Sequence, residues 1–217
     1  MKQLIIISLF LLFSSSLYAQ EDSSRYFTIG LVPTYLFDPI TPSVGIALEH
    51  SLGKNITCEI LYGMDSNWAP IYWHPDRSSW HHDYKLTLKY IFGEENILNL
   101  FPYIGLDYFG NVSKYQREND IYEEGGTYFS YDQAEVLRLV NGARVNCGMK
   151  MYAEKRISVD AFIGLGGRQV NIEYRPENSR ATSFDSFDEW IGPFDRQAGK
   201  RWTIAIIFGV KIAYRVY

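Results

Sequence analysis

Residues 201–217 read RWTIAIIFGVKIAYRVY. Trp202, Ile204, Ile206, Phe208, Val210, Ile212, Tyr214 and Val216 alternate with Thr203, Ala205, Gly209, Lys211, Ala213 and Arg215. Side chains of an extended strand point to opposite faces in turn, so this run has one face without charge and one face that carries all of it. Ile207 is the only large aliphatic on the charged side. Trp202 and Tyr214 stand near the two ends of the uncharged face, the placement expected when that face touches hydrocarbon and its ends reach the lipid–water interfaces.

The same pattern recurs upstream. Strands are predicted over Tyr26–Tyr35, Val44–Glu49, Ile56–Gly63, Tyr84–Tyr90, Leu100–Phe109, Leu137–Lys150 and Ile157–Arg168, which makes eight with the terminal one. Asp38–Pro42, Ser51–Asn55, Gly93–Asn99 and Ala153–Lys155 read as the shorter breaks. Met64–His82, Gly110–Glu135 and Tyr174–Gly199 read as three long loops. Short and longer connections therefore alternate, as they do in up-and-down barrels that span the outer membrane. One assignment of faces gives two aromatic girdles, with Tyr35, Tyr62, Tyr84, Tyr108 and Trp202 at one rim and Phe27, Tyr90 and Tyr214 at the other. Inverting the sixth or seventh strand would put Arg144 or Asp160 into lipid, and an arginine at the midplane costs about 2–4 kcal/mol. The register is well specified.

The first residues set the expected compartment. Lys2 provides a positive start, Leu4–Phe13 is apolar apart from Ser8, and Ser14–Ala19 offers a cleavage region. Residues 1–19 are read as a signal peptide cut near Ala19, and residues 20–217 as one barrel domain. The chain of 217 residues has 21 basic and 25 acidic side chains, which gives no basic surplus to suggest nucleic acid. The two cysteines, Cys58 and Cys147, fall on uncharged faces of separate strands and read as small apolar residues rather than a disulfide.

Particular phrases carry a family likeness: Phe101-Pro102-Tyr103-Ile104-Gly105-Leu106-Asp107-Tyr108, Val44-Gly45-Ile46-Ala47-Leu48-Glu49 before a Gly-Lys turn, Ala161-Phe162-Ile163-Gly164-Leu165-Gly166, and the aromatic C-terminus. In these the chain resembles the small eight-stranded outer-membrane β-barrel proteins, in particular those common in Bacteroidota. The resemblance implies an all-β, antiparallel, up-and-down transmembrane barrel in the outer membrane of a Gram-negative bacterium. It also implies a monomer surrounded by outer-membrane lipids and lipopolysaccharide and inserted by barrel-assembly machinery. Tyr217 departs from the pattern, being out of phase with Tyr214.

If the uncharged faces look out, the charges collect inside. Glu49, Glu59, Asp107 and Asp160 are expected in the lumen with Lys85, Lys89, Arg138, Arg144, Lys150, Arg168, Lys211 and Arg215. Eight strands enclose a space that side chains fill, so an ion-pair network plugging the barrel is the plain reading. The surplus of bases gives the alternative of a narrow, anion-preferring pore.

The segment containing Trp68, Trp73, His74, Trp80, His81 and His82 is the candidate binding loop. His74, Asp76, His81 and His82 match no defined metal spacing, so no metal or other cofactor is expected. The tryptophans fit a headgroup region or a sugar-stacking surface. Ser78, Ser79, His81 and Asp76 supply a hydroxyl, an imidazole and a carboxylate, as a lipid-modifying enzyme would need. The charged interior argues against an acyl slot, and no enzyme is expected. Gly164, Gly166 and Gly167 precede no helix, which excludes a glycine-rich nucleotide loop. A soluble eight-stranded barrel would require the opposite arrangement, with the uncharged faces turned inward.

Overall fold

A computed structural model describes residues 26–33, 43–65, 80–92, 100–153, 156–183 and 196–216. The proposed signal peptide lies outside these residues, as do Trp68, Trp73, His74, Asp76, Ser78 and Ser79. The strands are β1 (Phe27–Val32), β2 (Ser43–Ser51), β3 (Ile56–Asp65), β4 (Trp80–Ile91), β5 (Leu100–Glu124), β6 (Thr127–Tyr152), β7 (Ile157–Glu177), β8 (Arg180–Thr182) and β9 (Gly199–Arg215). Each neighbour in sequence pairs antiparallel from β1 to β7; β7 then pairs with β9, and β9 with β1. That circuit closes an eight-stranded barrel, so no lateral edge remains in the wall.

The ninth strand does not add a position to the wall. β8 pairs with β6 in the frame that β7 has already set, since Gln133 faces Glu177 and Ser130 faces Arg180. It is β7 resumed after an interruption at Asn178.

Polarity is inside out. Ile204, Ile206 and Phe208 are 70–74% exposed, and Leu31, Leu106, Val145, Ile163 and Leu165 stand outward with them. Glu49, Glu59, Asp107, Asp160, Lys150 and Lys211 are buried inside to 2% exposure or less. This excludes the soluble barrel. Cys58 and Cys147 are both unpaired thiols.

One of the expected long loops is strand instead, and the described start of another is too. β5 and β6 continue through Gly110–Glu135 as one hairpin, turning at Gly125 and Gly126 with φ of 61° and 84°, and β7 with β8 extends through Tyr174 to Thr182. Trp80, His81 and His82 belong to β4 rather than to a loop. β4 pairs with β5 only as far as Lys114. Beyond it, Tyr115–Glu124 continues for roughly 30 Å at strand rise. An outward apolar stripe marks a strand only where hydrocarbon is outside, and this stretch has its apolar residues on the other face. Tyr115, Val136, Val140, Val170 and Ile172 form a buried cluster on the inner side of the sheet where the wall passes into the extension, with Phe109 and Tyr174 against it. Its outer side carries Lys114, Glu135 and Arg175 in contact across the sheet, at 2.7 Å and 3.2 Å from the Glu135 carboxylate. The Lys114 hydrogen bond, seconded by Arg175, holds that carboxyl below its ordinary range.

A transverse row of polar residues marks a change of phase. Asn119 and Asn178 adopt left-handed φ values of 52° and 55°, and both are register partners of Asp132 by the pairings on either side. Asparagine takes this conformation more readily than other side-chain-bearing residues, because it can hydrogen-bond locally. Asn178 Nδ2 donates to Asp132 Oδ2 at 2.9 Å. Across the row the inward residues shift from Ala134 to Tyr131 on β6, and from Arg117 to Tyr122 on β5. Tyr122, Tyr131 and Ala134 then make a second cluster, with Phe129, Tyr174 and Ala198 packed on it.

The outward faces give a quantitative test. Val145→Arg puts a charge on the exterior of β6 and is expected to destabilise the barrel by about 2–4 kcal/mol in lipid vesicles. The same substitution at Gln116, on the outer side of the extension, should change stability by less than about 0.5 kcal/mol. Denaturant unfolding of the two variants checks the contrast.

Candidate functional site

The lumen holds four layers of polar side chains, stacked from the end with short turns to the end with long connections. At the short-turn end, aromatic rings and cations interleave. Lys150 Nζ lies 4.8 Å from the Tyr26 ring centre and 5.6 Å from that of Tyr152, while the Arg215 guanidinium sits 4.9 Å and 4.7 Å from the same rings. Such stacking is worth about 0.5–2 kcal/mol per pair when desolvated.

Above it is an ion knot. Glu49 on β2 and Glu59 on β3 are register partners, so their carboxylates enter the lumen side by side. Like charges so placed need cations between them. Lys89 Nζ donates to Glu49 Oε2 at 2.9 Å, Glu59 Oε2 at 2.8 Å and Asp160 Oδ2 at 3.0 Å. Lys211 meets the same three acids, with Glu49 at 2.7 Å and Asp160 at 3.3 Å. Lys150 reaches Glu49 Oε1 at 2.5 Å and Lys85 reaches Glu59 Oε1 at 3.0 Å. The Tyr103 hydroxyl donates to Asp160 Oδ1 at 2.6 Å. Every strand from β2 to β7, and the terminal strand β9, is thus tied into one knot.

Acceptor oxygens of Glu49, Glu59 and Asp160 all lie within 4.8 Å of one another, a spacing that a hard cation would accept. Lys89 and Lys211 already contact all three, so ammonium groups take the place a metal ion would need. The donor set does not fit a metal centre.

Farther along, Arg144 Nε donates to Asp107 Oδ2 at 2.7 Å and Asn146 Nδ2 to Asp107 Oδ1 at 2.6 Å, with the guanidinium 4.4 Å over the Phe109 ring. Arg168, half-buried, donates from Nε to Thr203 Oγ1 at 3.0 Å.

The outermost layer centres on His81, which is 4% exposed. Its Nε2 is 2.9 Å from Asp83 Oδ2 and its Nδ1 is 2.8 Å from Ser113 Oγ. Ser43 Oγ donates to Asp83 Oδ2 at 2.6 Å and Asn111 Nδ2 to Asp83 Oδ1 at 2.8 Å. Arg138 Nη1 donates to Asn111 Oδ1 at 3.3 Å. Gly63 stands between Ser43 and Asp83 on β3, and a Cβ there would press on both side chains. Its lack of one lets the two strands bond across it.

Serine, histidine and aspartate in hydrogen-bonded sequence are the components of a nucleophilic triad. The geometry fails as one. Ser113 is 2% exposed, and its hydroxyl donates to Asn111 Oδ1 at 2.8 Å instead of to the imidazole. A nucleophile needs its proton directed at the base and its oxygen open to substrate.

The twelve charged residues expected in the lumen all face inward, with Arg168 and Arg215 half-buried. The other ten are closely buried; Asp83, Asn111, Ser113 and Ser43 join the same interior without having been singled out from sequence. Asp83 was legible in principle, because it keeps the inward phase of Lys85 and Lys89 if strand four is begun earlier. The expected loop group is divided. His81 points inward, whereas His82 and Trp80 stand outside, with Tyr62 Oη 2.6 Å from His82 Nδ1 and the Trp80 ring edge-on to the imidazole.

No family model matches this chain, and no curated protein matches it. Among solved structures it is similar to a major outer membrane protein from Thermus thermophilus, at 14% identity over 88% of this chain and 99% of that one, with a TM-score of 0.38. It is also similar to CarO from Acinetobacter baumannii, at 11% identity over 88% and 95% with a TM-score of 0.38. A third is Neisserial surface protein A, at 10% identity over 88% and 93% with a TM-score of 0.33.

The knot generates a prediction. Lys211→Met leaves three buried carboxylates with one fewer cation, and should destabilise the barrel by about 3–5 kcal/mol. Adding Glu59→Gln should recover part of that loss, because it removes the charge left unpaired. Urea midpoints of the single and double variants in detergent decide this.

Proposed function

We propose that this chain is a monomeric outer-membrane barrel of a Gram-negative bacterium, of the small kind common in Bacteroidota. Its role in this reading is structural or surface-interacting: the wall anchors the β5–β7 extension, which is presented outside the cell. The reading includes removal of residues 1–19 near Ala19, insertion by barrel-assembly machinery, and lipid and lipopolysaccharide around the wall. It includes no enzymatic activity and no cofactor.

The observation that carries it is the radial order of polarity. An exposed aliphatic band surrounds an interior packed with ion pairs, and such an exterior is stable only in hydrocarbon. Support for a sealed lumen comes from the cation–aromatic stack that fills the short-turn end and from the ion knot above it. On the extension, Arg196–Ala198 runs back to β5: Ala198 N donates to Glu123 O at 2.8 Å, and Arg196 Nη2 pairs with Asp120 Oδ1 at 3.0 Å. Ala198 packs on the Tyr122 and Tyr131 cluster beneath.

One observation favours a second reading, a narrow pore for small anions. The inward bases Lys85, Lys89, Lys150, Lys211, Arg138, Arg144 and Arg168 outnumber the acids Glu49, Glu59, Asp83, Asp107 and Asp160. A surplus of fixed positive charge would favour anions if water threaded the lumen.

Planar-bilayer recording separates the two. The sealed barrel is expected to give no steady conductance, and protease added to intact cells should cut the extension while leaving the wall protected. Steady anion-selective channels from the purified chain would replace this reading with the pore.

A further inference from the structure

The rungs of the wall fix a tilt that no single strand pair holds. Followed strand by strand from Leu31, one rung passes through Ile46, Tyr62, Tyr84, Gly110, Asn141 and Gln169 to Trp202. The residue of β9 that pairs directly with Leu31 is Ile212. The circuit therefore closes with an offset of ten residues along β9. For eight strands about 4.8 Å apart, rising about 3.3 Å per residue, this offset tilts the strands by about 40° from the barrel axis.

On the outward faces of two strands the apolar run ends at a polar side chain after the same distance. The run on β4 is Phe92, Tyr90, Leu88, Leu86 and Tyr84 before His82, and on β6 it is Met151, Met149, Cys147, Val145 and Ala143 before Asn141. Each covers ten residues. At this tilt that length rises about 25 Å, the height of the apolar band of an outer-membrane barrel. A tyrosine from lower on the wall meets each polar group: Tyr62 Oη lies 2.6 Å from His82 Nδ1, and Tyr84 Oη donates to Asn141 Oδ1 at 2.6 Å. To reach β6 the Tyr84 ring lies across β5 over Gly110, where a Cβ would run into it. The short-turn end repeats the pattern, for Arg156 Nη1 donates to Tyr214 Oη at 3.0 Å and Asn55 Nδ2 to Tyr90 Oη at 3.4 Å.

We infer that His82 and Asn141, with Tyr62 and Tyr84, are where this chain meets the lipid headgroups of the outer leaflet. The hydrocarbon then ends between Ala143 and Leu139 on β6, and between Tyr84 and Trp80 on β4. This rests on the membrane reading above and adds a depth to it. A tyrosine whose ring lies in hydrocarbon while its hydroxyl reaches the polar edge has both halves in the surroundings they favour. An edge one rung higher would sink both polar groups in hydrocarbon, and one rung lower would leave Ala143 and the Tyr84 ring outside it. Beyond Val112 and Leu139 the outer side of the sheet stands among headgroups or in water, in agreement with Lys114, Glu135 and Arg175 there.

The experiment uses the full mature chain refolded in phosphatidylcholine vesicles, with a nitroxide on one thiol at a time. Cys147, a native outward thiol, is the mid-band reference in Cys58→Ala. Ala143→Cys and Leu139→Cys, each in a chain without the native thiols, bracket Asn141. Oxygen should relax the label more than a water-soluble nickel chelate does at Cys147 and in Ala143→Cys, and the order should reverse in Leu139→Cys. Replacing both polar groups, His82→Leu with Asn141→Leu, should move that reversal outward by one rung, about 5 Å. A preference for oxygen in Leu139→Cys with His82 and Asn141 intact, or a reversal that stays in place in the double variant, overturns the inference and leaves the membrane reading standing. A preference for nickel at Cys147 overturns both. If the double variant does not fold, the comparison of Ala143→Cys with Leu139→Cys decides alone.

Discussion

The pairing of Glu49 with Glu59 across β2 and β3 constrains much of the rest. Antiparallel register brings two carboxylates to the same level of the lumen, and closure of the ring leaves them no route to bulk water. Either carboxylate left without a cation would cost several kcal/mol. Lysines therefore arrive from β4, β6 and β9, at Lys89, Lys150 and Lys211, and Asp160 from β7 balances them. A slip of one residue in any of these strands would turn its charge outward and an aliphatic inward. The knot thus fixes register as well as filling space, which is the best-attested use of buried charge.

The wall was legible in the sequence because hydrocarbon outside and charge inside impose the same alternation on every strand. Lys211 between Val210 and Ile212, or Arg144 between Ala143 and Val145, admits one orientation only. The extension was not legible, because there the outside is water. Val136, Val140 and Ile172 turn inward in phase with Arg138, Arg144 and Arg168, so the strands continue unbroken while the chemical meaning of the faces reverses. A search for outward apolar residues ends at Leu137 and misreads everything beyond as loop.

The His81 layer lies where those two regimes meet, and this accounts for its composition. It is too deep for water to solvate its groups freely, and it lies at the inner edge of the aliphatic cluster, where Val140 is the register partner of Asn111. Polar groups in such a position must satisfy one another. They do so with short side chains, Ser43, Asp83, Asn111 and Ser113, which a scan for long charged residues passes over. The metal-like and triad-like groupings had the same weakness as sequence signals, for residue types alone do not give the direction of a proton. Ser113 Oγ donates to Asn111, and that one direction removes the nucleophile reading.

In the sealed reading proposed above, two different kinds of contact fill the lumen in series, and a third packs the extension beyond it. The Tyr26, Tyr152, Lys150 and Arg215 stack is cation against ring, the Glu49–Glu59–Lys211 group is charge against charge, and the Tyr122, Tyr131 and Ala198 group is apolar packing. These respond to different agents: salt screens exposed charge, while packing responds to temperature and solvent. A single perturbation therefore opens one layer and leaves two. Removing Arg196 would free the strap from Asp120 and still leave the lysine knot across the lumen. Conduction would require the knot itself to part, and the knot is the layer whose disruption also costs the wall its register. In the proposed reading, such a barrel would have stability and closure in the same bonds and would hold its extension in place rather than alternate between open and shut.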